Sequence, residues 1–129
     1  MTVLDQISSL TDNERAALTD YLAQLHKTCG GRLLRVVLFG SKARGDSETE
    51  SDIDLFVVLR GELDGLKDRL ANLSYDISLH YGVVLSDFVI GERRYRWMSQ
   101  YREPLLMEVE REGVELWRRQ NVELSLLTA

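Results

Sequence analysis

Val36-Val37-Leu38-Phe39-Gly40-Ser41-Lys42-Ala43-Arg44-Gly45-Asp46, followed by Ser51-Asp52-Ile53-Asp54-Leu55-Phe56-Val57-Val58, sets two apolar β-rich runs on either side of a small polar connection. Leu33 to Phe39 reads as one strand and Asp52 to Leu59 as the next. The twelve residues from Gly40 to Ser51 are few for a helical crossover between parallel strands, so the sheet is expected to be mixed.

The same stretch carries the chemistry. Asp52 and Asp54 stand two apart on a strand, so both carboxylates project from one face. Adjacent carboxylates repel unless a cation sits between them. Mg²⁺ suits the pair, because it takes oxygen ligands and usually combines one or two carboxylates with substrate phosphates. Gly40 and Ser41 follow the first strand directly. Glycine lets backbone approach a ligand closely, and a hydroxyl with the N–H groups of a turn makes an anion cradle. One end of the sheet thus offers phosphate donors beside metal ligands. A chance match at these four positions is expected in on the order of one chain in a thousand.

Outward from this core, strands and helices alternate through the chain. Thr11-Asp12-Asn13-Glu14 is a capping box. Ala17, Leu18, Tyr21, Leu22 and Leu25 then recur at helical spacing until Gly30-Gly31. Leu4, Ile7 and Leu10 suggest a helical turn before it. Glu62 to Tyr81 reads as a helix with Leu63, Leu66, Leu70, Leu73 and Ile77 on one face. Val83 to Ile90 is a third strand, Glu92 to Tyr101 a short helix, and Pro104 opens another that Gly113 stops. Val114 to Trp117 is a final short strand. With no repeat or linker, residues 1–129 are expected to form one α+β domain, a mixed sheet of about four strands flanked by helices.

The block Gly-Ser-x10-Asp-x-Asp, preceded by Val-Val-Leu-Phe and continued by Ala43-Arg44-Gly45-Asp46, resembles the minimal nucleotidyltransferases of the DNA polymerase β-like superfamily. Those proteins accompany HEPN proteins in toxin–antitoxin pairs. The resemblance extends to the closing pattern from Pro104-Leu105-Leu106 through Arg111-Glu112-Gly113-Val114 to Trp117. It implies ATP with Mg²⁺ and, in some members, AMP transfer to a tyrosine of the HEPN toxin, silencing its RNase activity. It also implies a third carboxylate on a later strand, where Asp87 is the acid within Val84-Leu85-Ser86-Asp87-Phe88-Val89. Alternation puts Asp87 on one face with Val83, Leu85 and Val89. The expected site is therefore Ser41, Asp52, Asp54 and Asp87 for catalysis, the three aspartates for metal, and Gly40, Ser41 and Arg44 for the nucleotide.

Other residues divide more evenly. Arg44 reaches the triphosphate or faces solvent. Lys42 is expected to be solvated, and Asp46, Glu48 and Glu50 to form a solvent-facing loop. His26 and His80 lack metal-ligand spacing. Tyr95, Trp97, Tyr101 and Trp117 are candidate docking residues, with core packing as the alternative. Arg93, Arg94 and Arg96 invite RNA or an acidic partner, yet six acids from Glu92 to Glu115 dilute them into a mixed surface.

Composition bounds the alternatives. A net charge of −5 is against a broad basic grip on nucleic acid. Cys29 is the one cysteine, so no intramolecular disulfide forms and a reducing, cytoplasmic setting is expected. No apolar stretch is long enough to span a bilayer. Two rival readings stay open: an antitoxin acting by occlusion alone, and a small-molecule nucleotidyltransferase, for which residues to build an acceptor domain are lacking. Assembly with itself or with the partner is also left open.

Overall fold

The computed structural model describes residues 2–46 and 51–120. The expectations on Glu48 and Glu50 lie outside the described residues. Helix α1 (Asp12–Cys29) starts at the capping box: Glu14 N–H donates to Thr11 Oγ1 at 3.1 Å, and Thr11 N–H donates to Glu14 Oε1 at 2.9 Å. A single 3₁₀ turn at Leu4–Gln6 precedes it, and Leu4, Ile7 and Leu10 are buried. Then follow β1 (Leu33–Phe39), α2 (Ser41–Arg44), β2 (Ile53–Leu59), α3 (Leu66–Tyr81), β3 (Leu85–Gly91), α4 (Glu92–Gln100), α5 (Pro104–Glu112) and β4 (Val114–Arg118).

Helix α3 begins four residues later than the leucine spacing predicts. Gly65 holds a left-handed conformation at its N-cap, φ 73°, which ordinary helix geometry excludes. Leu63 still packs on the core from the preceding loop. No helix among the described residues is long and apolar enough to cross a membrane.

The four strands form one mixed sheet in the order β3-β2-β1-β4. Strand β1 runs antiparallel to both β2 and β4, whereas β2 and β3 are parallel, joined through α3. Helices cover both faces, so β1 and β2 are buried along nearly their whole length. Val36, Leu38, Leu55 and Val57 face α1 and α3; Val37, Phe56 and Val58 face Tyr95 and Met98 of α4 and Leu106 and Val109 of α5.

One polar cluster crosses the second layer. Arg35, buried in β1, donates to Glu115 of β4 at 2.8 Å and Tyr95 of α4 at 2.8 Å, and pairs with Glu110 of α5. A single guanidinium thus ties three later elements to the first strand. Its five N–H donors make that branching possible.

Candidate active site

Strand β1 ends at Phe39, which is in register with Asp54 on β2. The chain must turn away there without covering the carboxylate. Gly40 does this with φ 75° and ψ −159°. A Cβ built at Gly40 would sit 2.2 Å from Asp54 Oδ2 and 3.1 Å from its Cγ. Glycine is therefore demanded twice, by the backbone angle and by the carboxylate pressed against it. Ser41 opens α2, and Gly45, left-handed at φ 83°, closes it with a hydrogen bond to the Ser41 carbonyl. The half-buried Ser41 side chain has no hydrogen-bond partner among the described residues.

Asp54 shares its sheet face with Phe56 and Val58 and is half-buried; Asp52, just before the strand, is exposed. Burial first, then the charges of Asp52 and Glu108, hold the Asp54 carboxyl above its ordinary value, against the lowering pull of Arg44. Two acids in one another's field at a sheet end fit a divalent cation. Among the described residues no group of three or more His, Cys, Asp or Glu could hold a metal ion. The protein thus offers a carboxylate pair, which suits Mg²⁺ that completes its shell with phosphate oxygens and water.

Asp87 is not brought to this pair. The parallel register sets Asp54 beside Ser86 and Leu55 beside Asp87, so Asp87 emerges on the opposite face, among the α1 and α3 side chains. There the buried Tyr21 hydroxyl donates to Asp87 Oδ2 at 2.6 Å. Alternation placed Asp87 correctly with Leu85 and Val89. The same alternation, carried across the pairing, separates it from Asp54.

Arg44 is exposed and meets acids on three sides: Asp46 at 3.2 Å, Glu112 at 3.2 Å and Glu108 at 3.6 Å. It borders the carboxylate pair rather than standing apart in solvent. Sequence reasoning missed Glu108 and Glu112, because no local pattern links α5 to a turn more than sixty residues earlier. Lys42 departs from the expectation of a solvated side chain. It is buried, with Nζ 2.9 Å from Glu14 Oε2, and the Ser9 hydroxyl donates to its carbonyl. Of the aromatic candidates, Tyr95 is buried and Trp117 packs edge-on to His26 at 4.6 Å. Trp97 and Tyr101 are exposed.

Comparison with known proteins accords with this geometry. The family described as "Nucleotidyltransferase domain" matches residues 17–108. A protein of Methanocaldococcus jannaschii called "Putative protein adenylyltransferase" is 37% identical over 83 residues, covering 64% of this chain and 79% of its own length. A solved structure described as "putative minimal nucleotidyltransferase" is 29% identical with a TM-score of 0.52, covering 83% of this chain and 98% of the other. A chain of the complex between tri-AMPylated Shewanella oneidensis HEPN toxin and MNT antitoxin aligns with a TM-score of 0.56 at 18% identity, covering 88% of this chain and 79% of that one. At that identity the last likeness speaks for the fold.

Proposed function

The chain belongs to the nucleotidyltransferase domain family and is a nucleotidyltransferase enzyme, and from that premise we propose that it moves AMP from Mg²⁺-bound ATP onto a hydroxyl of a protein partner. The partner in this reading is a HEPN-type toxin, which the added group silences. The observation that carries the proposal is the contact of Gly40 with Asp54. It builds the phosphate-holding turn and the metal-binding carboxylate as a single unit.

Each residue then has a defined task. Asp52 and Asp54 would hold Mg²⁺, which when bound would supply positive charge to neutralise the triphosphate. The Ser41 hydroxyl donates to a phosphate oxygen. Arg44 turns its guanidinium from Glu108 and Glu112 toward the triphosphate, whose geometry it matches. The acceptor oxygen bonds to the α-phosphorus, pyrophosphate departs with the electrons of the broken bond, and the acceptor proton passes to water.

A second reading, neutralisation by occlusion, is favoured by one observation: Asp87 is held by Tyr21 away from the pair. The two are separated by incubating the chain with the HEPN-type protein, Mg²⁺ and ATP. Transfer onto a hydroxyl adds about 329 Da per group, read by intact-mass spectrometry. Asp52→Ala, Asp54→Ala or chelation of Mg²⁺ is expected to abolish the gain. A toxin neutralised by the Asp52→Ala variant without gaining mass decides for occlusion.

A further inference from the structure

The arginines of α4 look diluted in sequence by the acids around them, but in the fold every one of those six acids is engaged. Glu92 accepts from the Gly61 N–H at 3.0 Å and pairs with Arg96 at 3.4 Å. Glu103 caps α5 through the Leu105 N–H at 3.0 Å. Glu108 and Glu112 lie against Arg44, and Glu110 and Glu115 hold Arg35. Arg93, Arg94 and Arg102 are exposed and have no ion pair among the described residues. On a chain of net charge −5, Arg93 and Arg94 are adjacent uncompensated positive charges in the first turn of α4, and Arg102 follows just beyond the end of that helix.

Beside it lie the exposed rings of Trp97 and Tyr101, 5.3 Å apart. Trp97, Arg93 and Arg94 form one wall of an open groove of about 900 Å³ that follows β3. Among the described residues β3 pairs with β2 alone, so its other edge is open. Phe88 lines the groove and stacks on Phe56, with ring centres 6.2 Å apart. Ser86, one pleat before Phe88, is in register with Asp54. The groove therefore begins at Phe88, about 7 Å along the sheet from the level of Asp54 and on its face, and follows the β3 edge away from the pair past Gly91, which is in register with Leu59.

We infer that this α4 side of the groove is the docking surface for the protein acceptor. An acidic face of that partner meets Arg93, Arg94 and Arg102 while its apolar side chains cover Trp97 and Tyr101. The inference rests on the acceptor being a protein, as proposed above. Arginine, tryptophan and tyrosine are the side chains that most often dominate binding energy at interfaces. Charge complementarity steers approach and fixes orientation. A docked partner held here presents a hydroxyl to the neighbouring site, and such positioning supplies much of the advantage of an ordered reaction. RNA fits less well, because away from α4 the lining carries Glu62, Asp64 and Asp87 against the single cation Lys67, a negative balance that repels a phosphate backbone while a protein surface of mixed sign accommodates it.

The test uses the full chain with the HEPN-type toxin and two exposed-surface variants, Trp97→Ala/Tyr101→Ala and Arg93→Glu/Arg94→Glu. Calorimetry is expected to show unchanged MgATP binding for both. Affinity for the toxin falls at least about tenfold in each, AMP transfer falls with it, and the charge variant loses the salt dependence of binding. Variants that hold and modify the toxin like the unaltered chain overturn the inference. So does loss of affinity for an RNA hairpin with toxin binding retained, which makes RNA the occupant. Failure of the functional reading is seen separately, as an unaltered chain that does not bind MgATP, and toxin binding is measured independently of it.

Discussion

Gly40 concentrates two constraints in one position. Its φ of 75° lies where side chains bring strain, and a methyl group there would overlap the Asp54 carboxylate. Gly40→Ala therefore displaces either the turn or the carboxylate. We expect a stability loss of about 1–3 kcal/mol from backbone strain alone and loss of measurable MgATP binding. Ser41→Ala, by contrast, removes one donor and no bulk. It is expected to weaken nucleotide binding by about 0.5–3 kcal/mol, toward the upper end for a charged acceptor, with an unchanged urea midpoint. Isothermal titration of both variants checks the pair of outcomes. An alanine at position 40 that binds MgATP normally refutes the close contact.

Helices α1 and α2 are joined by a buried ion pair that no spacing rule announces. Glu14 both completes the cap of α1 and accepts Lys42 from α2, so one carboxylate serves two elements. Both side chains are nearly inaccessible, at 6% and 1%. Lys42→Ala leaves Glu14 buried without its charge partner, a loss of about 3–5 kcal/mol. Lys42→Met with Glu14→Gln keeps the capping hydrogen bond and removes both charges, and is expected to recover most of that loss. Urea unfolding of the single and double variants gives the comparison. Equal midpoints for Lys42→Ala and the unaltered protein refute a stabilising pair. The capping box itself was legible in four consecutive residues, because both of its hydrogen bonds are local. Lys42 was misread because its partner lies in another element and its burial comes from packing.

Two buried tyrosines couple the architecture to alkaline pH. Burial, then the neighbouring Asp87 charge, holds the Tyr21 hydroxyl well above its ordinary value of 10.0. Burial also raises Tyr95, against the opposing charge of Arg35. In the unfolded chain both release their protons near pH 10; in the fold they retain them. Above that pH the native state binds more protons than the unfolded one, so stability falls as pH rises, whereas below about pH 9 these groups contribute no slope. Each adds at most about 1.4 kcal/mol per pH unit. The urea midpoint is expected to begin falling near pH 9, where burial also holds the Cys29 thiol above its ordinary value, and to drop most steeply from 10 to 11. Tyr21→Phe loses the hydrogen bond to Asp87, about 1.5–3 kcal/mol at pH 8, and shows a shallower alkaline slope. A variant with the same slope as the unaltered protein removes Tyr21 from this account.

The carboxylate pair, the glycine turn pressed against it and the four strands were all readable from residues close together in the chain. Alternation, turn chemistry and caps act over a few residues, and they recur wherever the local pattern does. Asp87 marks the limit. Its face followed from alternation, but its relation to Asp54 depended on the β2–β3 register, which α3 and the packing of two layers set. A shift of one residue in that register exchanges the faces, so no pattern internal to either strand specifies it. The six acids around α4 show the same dependence. As a sequence they neutralise the arginines beside them. Folded, they are drawn to Arg35, Arg44, Arg96 and backbone donors, leaving Arg93, Arg94 and Arg102 uncompensated, because charge pairing follows distance in space and not separation along the chain.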